Sequence, residues 1–222
     1  MIRTILYTLL RFSRLWAIIL CCLSLSCSSY HLKKYSFDSI LIKNSQDDDS
    51  AKCEIHVDYP RLILSNNQGV EQKINAKIRN KFLSNVDSYC DENPHIESNV
   101  NISYEAYKNS LGLLSIISHI TISGEVSAVL IEGYNFDLKS GELLSKFDLI
   151  SKDFHEEVNT ILTRKLLSRP LYKLDDYFYS SELVISGDNA IFYLPKVGAL
   201  GPYEEIVKLT ELTSFINKKY LK

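Results

Sequence analysis

Three successive runs between Val100 and Leu138 alternate apolar with polar residues, and this pattern constrains the fold more than any other. Val100, Ile102, Tyr104 and Ala106 alternate with Asn101, Ser103, Glu105 and Tyr107. Leu114, Ile116, Ser118, Ile120 and Ile122 form a second inward row, and Ile117 implies partial cover on the opposite side. A third run returns from Val126 to Leu138, ending on Tyr134, Phe136 and Leu138. A period of two is that of a half-buried strand. The breaks at Asn109-Ser110 and Ser123-Gly124-Glu125 are short, so the runs predict an antiparallel meander. Ser140-Gly141 then turns the chain, glycine taking a positive φ without steric cost. Beyond it the pattern becomes helical, which places a seam between two halves here.

A helix is expected to cover one face of the meander. Val70, Ile74, Ile78, Phe82 and Val86 recur every four residues, predicting a long amphipathic helix from about 69 to 90. It follows a strand, Cys53 to Leu64, that Pro60 should break or confine to an edge. After Leu144, Ser151 is placed to cap a second helix carrying Phe154, Val158, Ile161, Leu162 and Leu166. Strands follow on either side of Gly187-Asp188-Asn189. A last strand contains Ile206 and Leu209, and a last helix is capped by Thr210. The expected fold class is α+β. Its divisions are 1–26 (signal peptide), 27–51 (lipidated N-terminus and polar tether, with a short strand about Phe37, Ile40 and Leu41 as the alternative), 52–133 (first α+β part) and 134–222 (second part).

The N-terminus reads as an export signal. Arg3, Arg11 and Arg14 precede an apolar core of 11 residues from Leu15 to Leu25, short of the roughly 20 that span a bilayer. Ser26-Cys27 resembles a bacterial lipobox, with Cys27 the lipidated mature N-terminus, although Ser24 stands where leucine is usual. Simple cleavage and retention as an anchor are the alternatives. Ser28 after the lipidated cysteine favours a periplasm-facing outer-membrane location. Cys21 and Cys22 leave with the signal, so Cys53 and Cys90 remain. In an oxidising compartment they form a disulfide, worth about 3–4.5 kcal/mol for so long a loop; two free buried thiols are the alternative. Loss of the three signal arginines moves the net charge from -2 to -5, which argues against nucleic-acid binding.

Several stretches resemble a bacterial envelope domain pair. That pair occurs in the extracellular part of lysozyme-sensing anti-sigma factors, beside polysaccharide deacetylase domains, and alone in small lipoproteins of unknown function. The first domain is similar to Tyr59-Pro60-Arg61-Leu62, the helix with Ile74-Asn75-Ala76-Lys77-Ile78, and Leu113-Leu114-Ser115-Ile116. The second is similar to Tyr134-Asn135-Phe136-Asp137-Leu138-Lys139-Ser140-Gly141-Glu142, Phe147-Asp148-Leu149, Ala190-Ile191-Phe192-Tyr193, and Gly201-Pro202-Tyr203 with Ile206 to Phe215. One departure stands out: Ser123-Gly124-Glu125-Val126-Ser127 replaces a histidine-bearing Gly-Gly-Ala-His-type turn. The resemblance implies a second part similar to an α/β subdomain of the Hsp70 ATPase, without implying ATPase activity. It also names lysozyme as a precedent for a partner.

Little in the sequence points to catalysis. His31, His56, His95, His119 and His155 show no H-E-x-x-H spacing, and no G-x-S-x-G elbow or P-loop is present. His119 reads as a sheet-surface residue. The Asp47-Asp48-Asp49 run lacks the glycine and terminal glutamate of a calcium loop, so no metal or cofactor is expected. The expectation is a non-enzymatic binding module for a protein or peptidoglycan partner. Its binding candidates are Tyr203, Gly201 and Pro202 in a glycine-bearing loop, and Tyr177 and Tyr179 in an aromatic cluster. The alternatives are a cell-wall glycan-acting enzyme using Glu204 or Asp176 as acid, and a structural lipoprotein of an envelope complex.

Overall fold

A long two-stranded ribbon begins the fold. In the computed structural model the described residues are 30–43, 51–84, 86–90, 97–109, 111–124, 127–166, 177–194 and 202–220, with backbone alone at 37–43 and 51. The signal, Cys27, the aspartate run, Asp176 and Gly201 lie outside them. Strand β1 (Tyr30–Lys43) pairs antiparallel along its whole length with β2 (Ala51–Leu64). Most of the stretch read as a tether is therefore strand. Its polar residues, Lys33, Lys34 and Ser36, hid this because the ladder bonds, made by the backbone, need no apolar period.

Pro60 does not break β2. The register with β1 is unbroken across it. The buried face changes instead: Cys53, Ile55 and Val57 are buried before it, and Leu62 and Leu64 after it. One strand can bury both parities when it twists strongly, as long two-stranded ribbons do. The backbone N–H groups of Leu62 and Leu64 donate away from β1, to Asn75 Oδ1 (2.8 Å) and Glu71 Oε2 (2.8 Å). Pro60 has the same parity, so its missing donor subtracts nothing from the β1 ladder.

Helix α1 (Gln68–Leu83) starts at Asn67, whose Oδ1 accepts from Val70 N at 3.1 Å. It buries Ile74, Ile78 and Phe82. It is shorter than the expected 69–90: the Ser84 N–H and hydroxyl both bond Asn80 O, and a separate 3₁₀ turn follows at Val86–Tyr89. The four-residue recurrence carries on through this turn, with Val86 buried and Cys90 brought to Cys53. The two cysteines are bonded, with Cα atoms 5.9 Å apart. Because α1 crosses back, β3 (Ser98–Lys108) pairs parallel to β2, over Cys53–Val57.

The expected meander then follows: β3, β4 (Leu113–Ser123) and β5 (Ala128–Asp137) pair antiparallel, and short β6 (Leu143–Leu144) closes a six-stranded sheet in sequence order. Val100, Ile102, Leu114, Ile116, Ile120, Tyr134 and Phe136 pack with α1 in one core. The 134 boundary thus falls inside β5.

A second core forms behind the sheet. Helices α2 (Lys146–Leu149) and α3 (His155–Leu166), the turn α4 (Tyr177–Ser180) and α5 (Leu209–Leu212) surround β7 (Glu182–Ser186), β8 (Asn189–Leu194) and β9 (Tyr203–Lys208). These strands form a separate antiparallel sheet. Ser151 precedes α3 across a 3₁₀ turn without a side-chain cap. Thr210 lies within α5 and Leu209 begins it, because the Glu211 side chain takes the capping role at Lys208 N. The molecule is α+β, with a curled, mostly antiparallel main sheet. Among the described residues no helix is long and apolar enough to cross a membrane.

Candidate functional site

The two sheets meet through β7, and the contact is built from polar side chains. Ser115 and Asn135, both fully buried, sit on the sheet face away from α1. Ser115 Oγ donates to Asn135 Oδ1 at 2.6 Å, and Asn135 Nδ2 donates to Leu183 O at 2.6 Å. Ile185 N donates to Ser115 Oγ at 3.2 Å, Asn109 Nδ2 to Ile185 O at 3.2 Å, and Gly187 N to Lys108 O at 2.9 Å. Leu183, Ile185 and Gly187 share one parity, so these bonds occupy the outer edge of β7. A bare strand edge is thereby closed by the neighbouring sheet. Ile117, fully buried, packs beside it on Val184, Ile191 and Tyr193, the cover implied by its sequence pattern.

Two hollows open along this seam. One, about 520 Å³, is lined by Lys81, Glu132, Tyr134, Lys146, Phe147 and Glu182 among others. Its neighbour, about 460 Å³, adds Val129, Leu130 and Pro202 and shares Glu132 and Glu182 with the first. Gly133 lets the sheets approach here: a Cβ would sit 3.3 Å from Glu182 Cβ, Leu183 O and Val184 Cγ1. Gly133 N donates to Glu182 Oε2 at 3.3 Å. Surrounding protein desolvates the Glu182 carboxyl and raises its pKa, with Glu132 adding to the rise and Gly133 N and Lys146 opposing it. Glu182 still keeps a solvent-exposed face. The Tyr134 hydroxyl donates to Glu132, and burial is the main cause that pushes its own pKa upward.

An aromatic rim borders the first hollow. Phe147 and Tyr179 are 46% and 42% exposed, with ring centroids 5.8 Å apart. Buried Phe178 and His155 support them. Lys146 lies over the Phe147 and Phe178 rings, and its Nζ donates to Tyr179 O at 2.7 Å. Ser145 and Asp148 fix the start of α2 with reciprocal caps. The rim is thus held in place before any ligand arrives.

The sequence-derived binding residues are distributed unevenly about this site. Tyr179 is on the rim. Pro202 lines the second hollow, and Tyr203 beside it is half-buried, its hydroxyl donating to Glu205 Oε2 at 3.2 Å. Tyr177 is not surface: it is buried in the second core, because its ring is needed to fill the space under β8 and α3. Glu204 is exposed on β9. His119 stands 3.5 Å from Glu105 on the sheet face that carries Ile117. Glu132, Glu182, Lys81, Lys146 and Phe147 went unrecognised, since they come from four separate stretches and no spacing links them. Among the described residues no three His, Cys, Asp or Glu side chains gather as a metal set.

These features describe an α+β protein of two packed sheets with a preformed, aromatic-rimmed cleft at their seam. No protein-family model matches the chain, and no curated protein does. Solved structures do. A member of the DUF3298 family from Bacteroides fragilis NCTC 9343 superposes with a TM-score of 0.57 at 13% identity, covering 86% of this chain and 95% of that one. A DUF3298 family protein from Pseudomonas aeruginosa PAO1 superposes with a TM-score of 0.53, also at 13% identity, covering 86% and 96%. The chain's structural neighbours are thus proteins of a family whose function is unknown. At this identity the likeness is one of fold.

Proposed function

We propose that this chain is an exported, lipid-anchored envelope protein that binds a protein or peptidoglycan partner at the seam cleft and performs no chemistry on it. The exposed Phe147–Tyr179 rim around a preformed cleft carries the reading: aromatic side chains held rigidly at a concave site are the usual anchors of recognition. The Cys53–Cys90 bond supports the compartment, since such bonds persist where thiols are not kept reduced. The anchor is the lipid on Cys27, facing the periplasm from the outer membrane. The likeness of the second part to an α/β subdomain of the Hsp70 ATPase, which the family resemblance implies, enters this reading as a matter of shape only. A basic, lysozyme-type protein suits the acidic mature chain.

Titration calorimetry of residues 28–222 against an animal-type lysozyme tests this. Binding on the order of micromolar or tighter, weakening with salt, is expected. Phe147→Ala with Tyr179→Ala should weaken it about tenfold or more. Absence of binding at low salt defeats the lysozyme assignment. Acyl mass on the wild-type chain that Cys27→Ala abolishes tests the anchor.

One observation favours a second reading, a glycan-acting enzyme: Glu182, with its raised pKa, shares the cleft with Glu132. These two acids line one cleft and suit that role better than Glu204, which lines neither hollow of the seam. Failure of the wild type to turn over labelled peptidoglycan removes it.

A further inference from the structure

A second groove, sharing no lining residue with the seam, lies where the ribbon meets α1. It is about 360 Å³. Tyr35, Tyr59 and Arg61 form one wall, and Gln72, Ala76 and Arg79 the other. The helical residues fall at i, i+4 and i+7, one stripe of α1, and small Ala76 leaves the dip between the two longer side chains. Both walls are fixed. Asn75 Nδ2 donates to Leu62 O at 2.8 Å while its Oδ1 accepts from Leu62 N, so the helix is pinned to β2 at two points. The Tyr59 ring packs 6.5 Å from Phe82 and 5.9 Å from Tyr35.

The charges are arranged at a cost to the free protein. Lys33 pairs directly opposite Arg61 across the β1–β2 ladder, and like charges in that relation repel. Arg79 lines the groove from the helix, across from Arg61. Among the described residues no carboxylate forms an ion pair with Lys33, Arg61 or Arg79. Glu71, the one acid lining the groove, has its Oε2 committed to Leu64 N. Arg61 instead lies over the Tyr35 ring at 5.8 Å and donates to its hydroxyl at 3.4 Å. Two arginines therefore line the groove, with Lys33 on the strand beside Arg61, on a chain whose net charge is negative.

We infer that this groove is a binding site for a small carboxylate carried on a ring or apolar body, either an acidic sugar or the C-terminus of a short peptide. The guanidinium forks of Arg61 and Arg79 match a carboxylate, Lys33 adds long-range attraction, and Tyr35 and Tyr59 provide a face for the body of the ligand. The volume admits one or two residues or one sugar ring.

The test is NMR titration of oxidised residues 28–222 with N-acetylmuramic acid, with the dipeptide alanyl-alanine, with neutral N-acetylglucosamine and with inorganic phosphate. Saturable shifts confined to the Tyr35 and Tyr59 rings and the Arg61 and Arg79 Nε–H groups are expected from one or both carboxylates, with Kd on the order of millimolar or tighter. Which of the two binds identifies the source. Arg61→Gln with Arg79→Gln should weaken binding about tenfold or more and leave Tm within about 2 °C of wild type, or raise it. A purely structural role for these arginines would lower Tm instead. No saturable shift, equal binding by the double variant, or phosphate binding as tightly as either carboxylate overturns the assignment. None of these outcomes bears on the seam cleft, whose calorimetric test reports a different partner.

Discussion

At the scale of single residues, the stretch from Tyr134 to Glu142 proves to be joinery. Phe136 fills the first core, while Asn135 points to the opposite face and holds β7. Asp137 accepts from Lys139 N at 2.9 Å and from Ser140 Oγ at 2.7 Å, shaping the turn. Gly141 completes it at φ +73°, where a side chain would be strained and a Cβ would press on Lys73 at 3.1 Å. Of these, Asn135 has no substitute. Asn135→Asp keeps the shape but removes the donor, leaving a carboxylate against the Leu183 carbonyl. The expected loss is about 3 kcal/mol or more at neutral pH, measured by urea unfolding. Part of the loss should return in acid, when the introduced carboxyl is protonated and can donate. An unchanged stability would mean that the inter-sheet bond does not form.

Between elements, the same turn is clasped to α1. Glu142 accepts from both Lys73 and Lys77, and Lys77 also donates to Gly141 O at 3.1 Å. The lysines hold the Glu142 carboxyl down to about 2, from an ordinary 4.5. A folded-state value below the unfolded one gives stability that is present above pH 4.5 and lost as pH falls through about 2. The group is exposed, so solvent screening keeps the effect modest. Tm should therefore fall between pH 4.5 and pH 2 less steeply for Glu142→Gln than for the wild type, and the difference should shrink in high salt. Parallel curves would show that the clasp contributes nothing. Side-chain periods made some elements legible and left others hidden. Helix α1 and the start of β3 bury one regular face, which a period records directly, whereas β7 and β8 are buried on both faces and were legible as apolar runs about the Gly187-Asp188-Asn189 turn. The full length of β1 escaped, beyond a short strand about Phe37, Ile40 and Leu41, because polar residues can occupy a ladder, and the end of α1 because Val86 keeps the spacing after the helix has stopped. The parallel β2–β3 pairing depends on where α1 delivers the chain, which no local pattern specifies. The site was less legible still: Tyr179 could be picked out from an aromatic cluster and Pro202 from a glycine-bearing loop, whereas Glu182 and Glu132 acquire their relation only when β7 packs against β5.

For the molecule as a whole, the question is whether two cores make two folding units. The sequence divides at 134, yet the contacts cross that line repeatedly. Strand β5 belongs to the first sheet while its Asn135 completes the edge of the second. Ile117 of β4 is buried only because Val184 and Ile191 cover it. The end of β3 is likewise tied to β7, with Gly187 N donating to Lys108 O at 2.9 Å and Asn109 Nδ2 to Ile185 O at 3.2 Å. Cutting at 134 would strand polar groups at the Ser115–Asn135 contact and expose the edge of β7, and unpaired buried groups cost about 1–3 kcal/mol each. The two halves should therefore unfold together. Urea transitions followed by far-UV circular dichroism and by tyrosine fluorescence are expected to coincide, and residues 134–222 alone should show no cooperative transition. Gly133→Val, which pushes β7 off the sheet, should shift both probes equally, because neither core can loosen without the other. Two resolved transitions, or a fragment that melts cooperatively, would show the seam to be an interface between independent domains, and the cleft along it would then open and close with their relative motion rather than stand preformed.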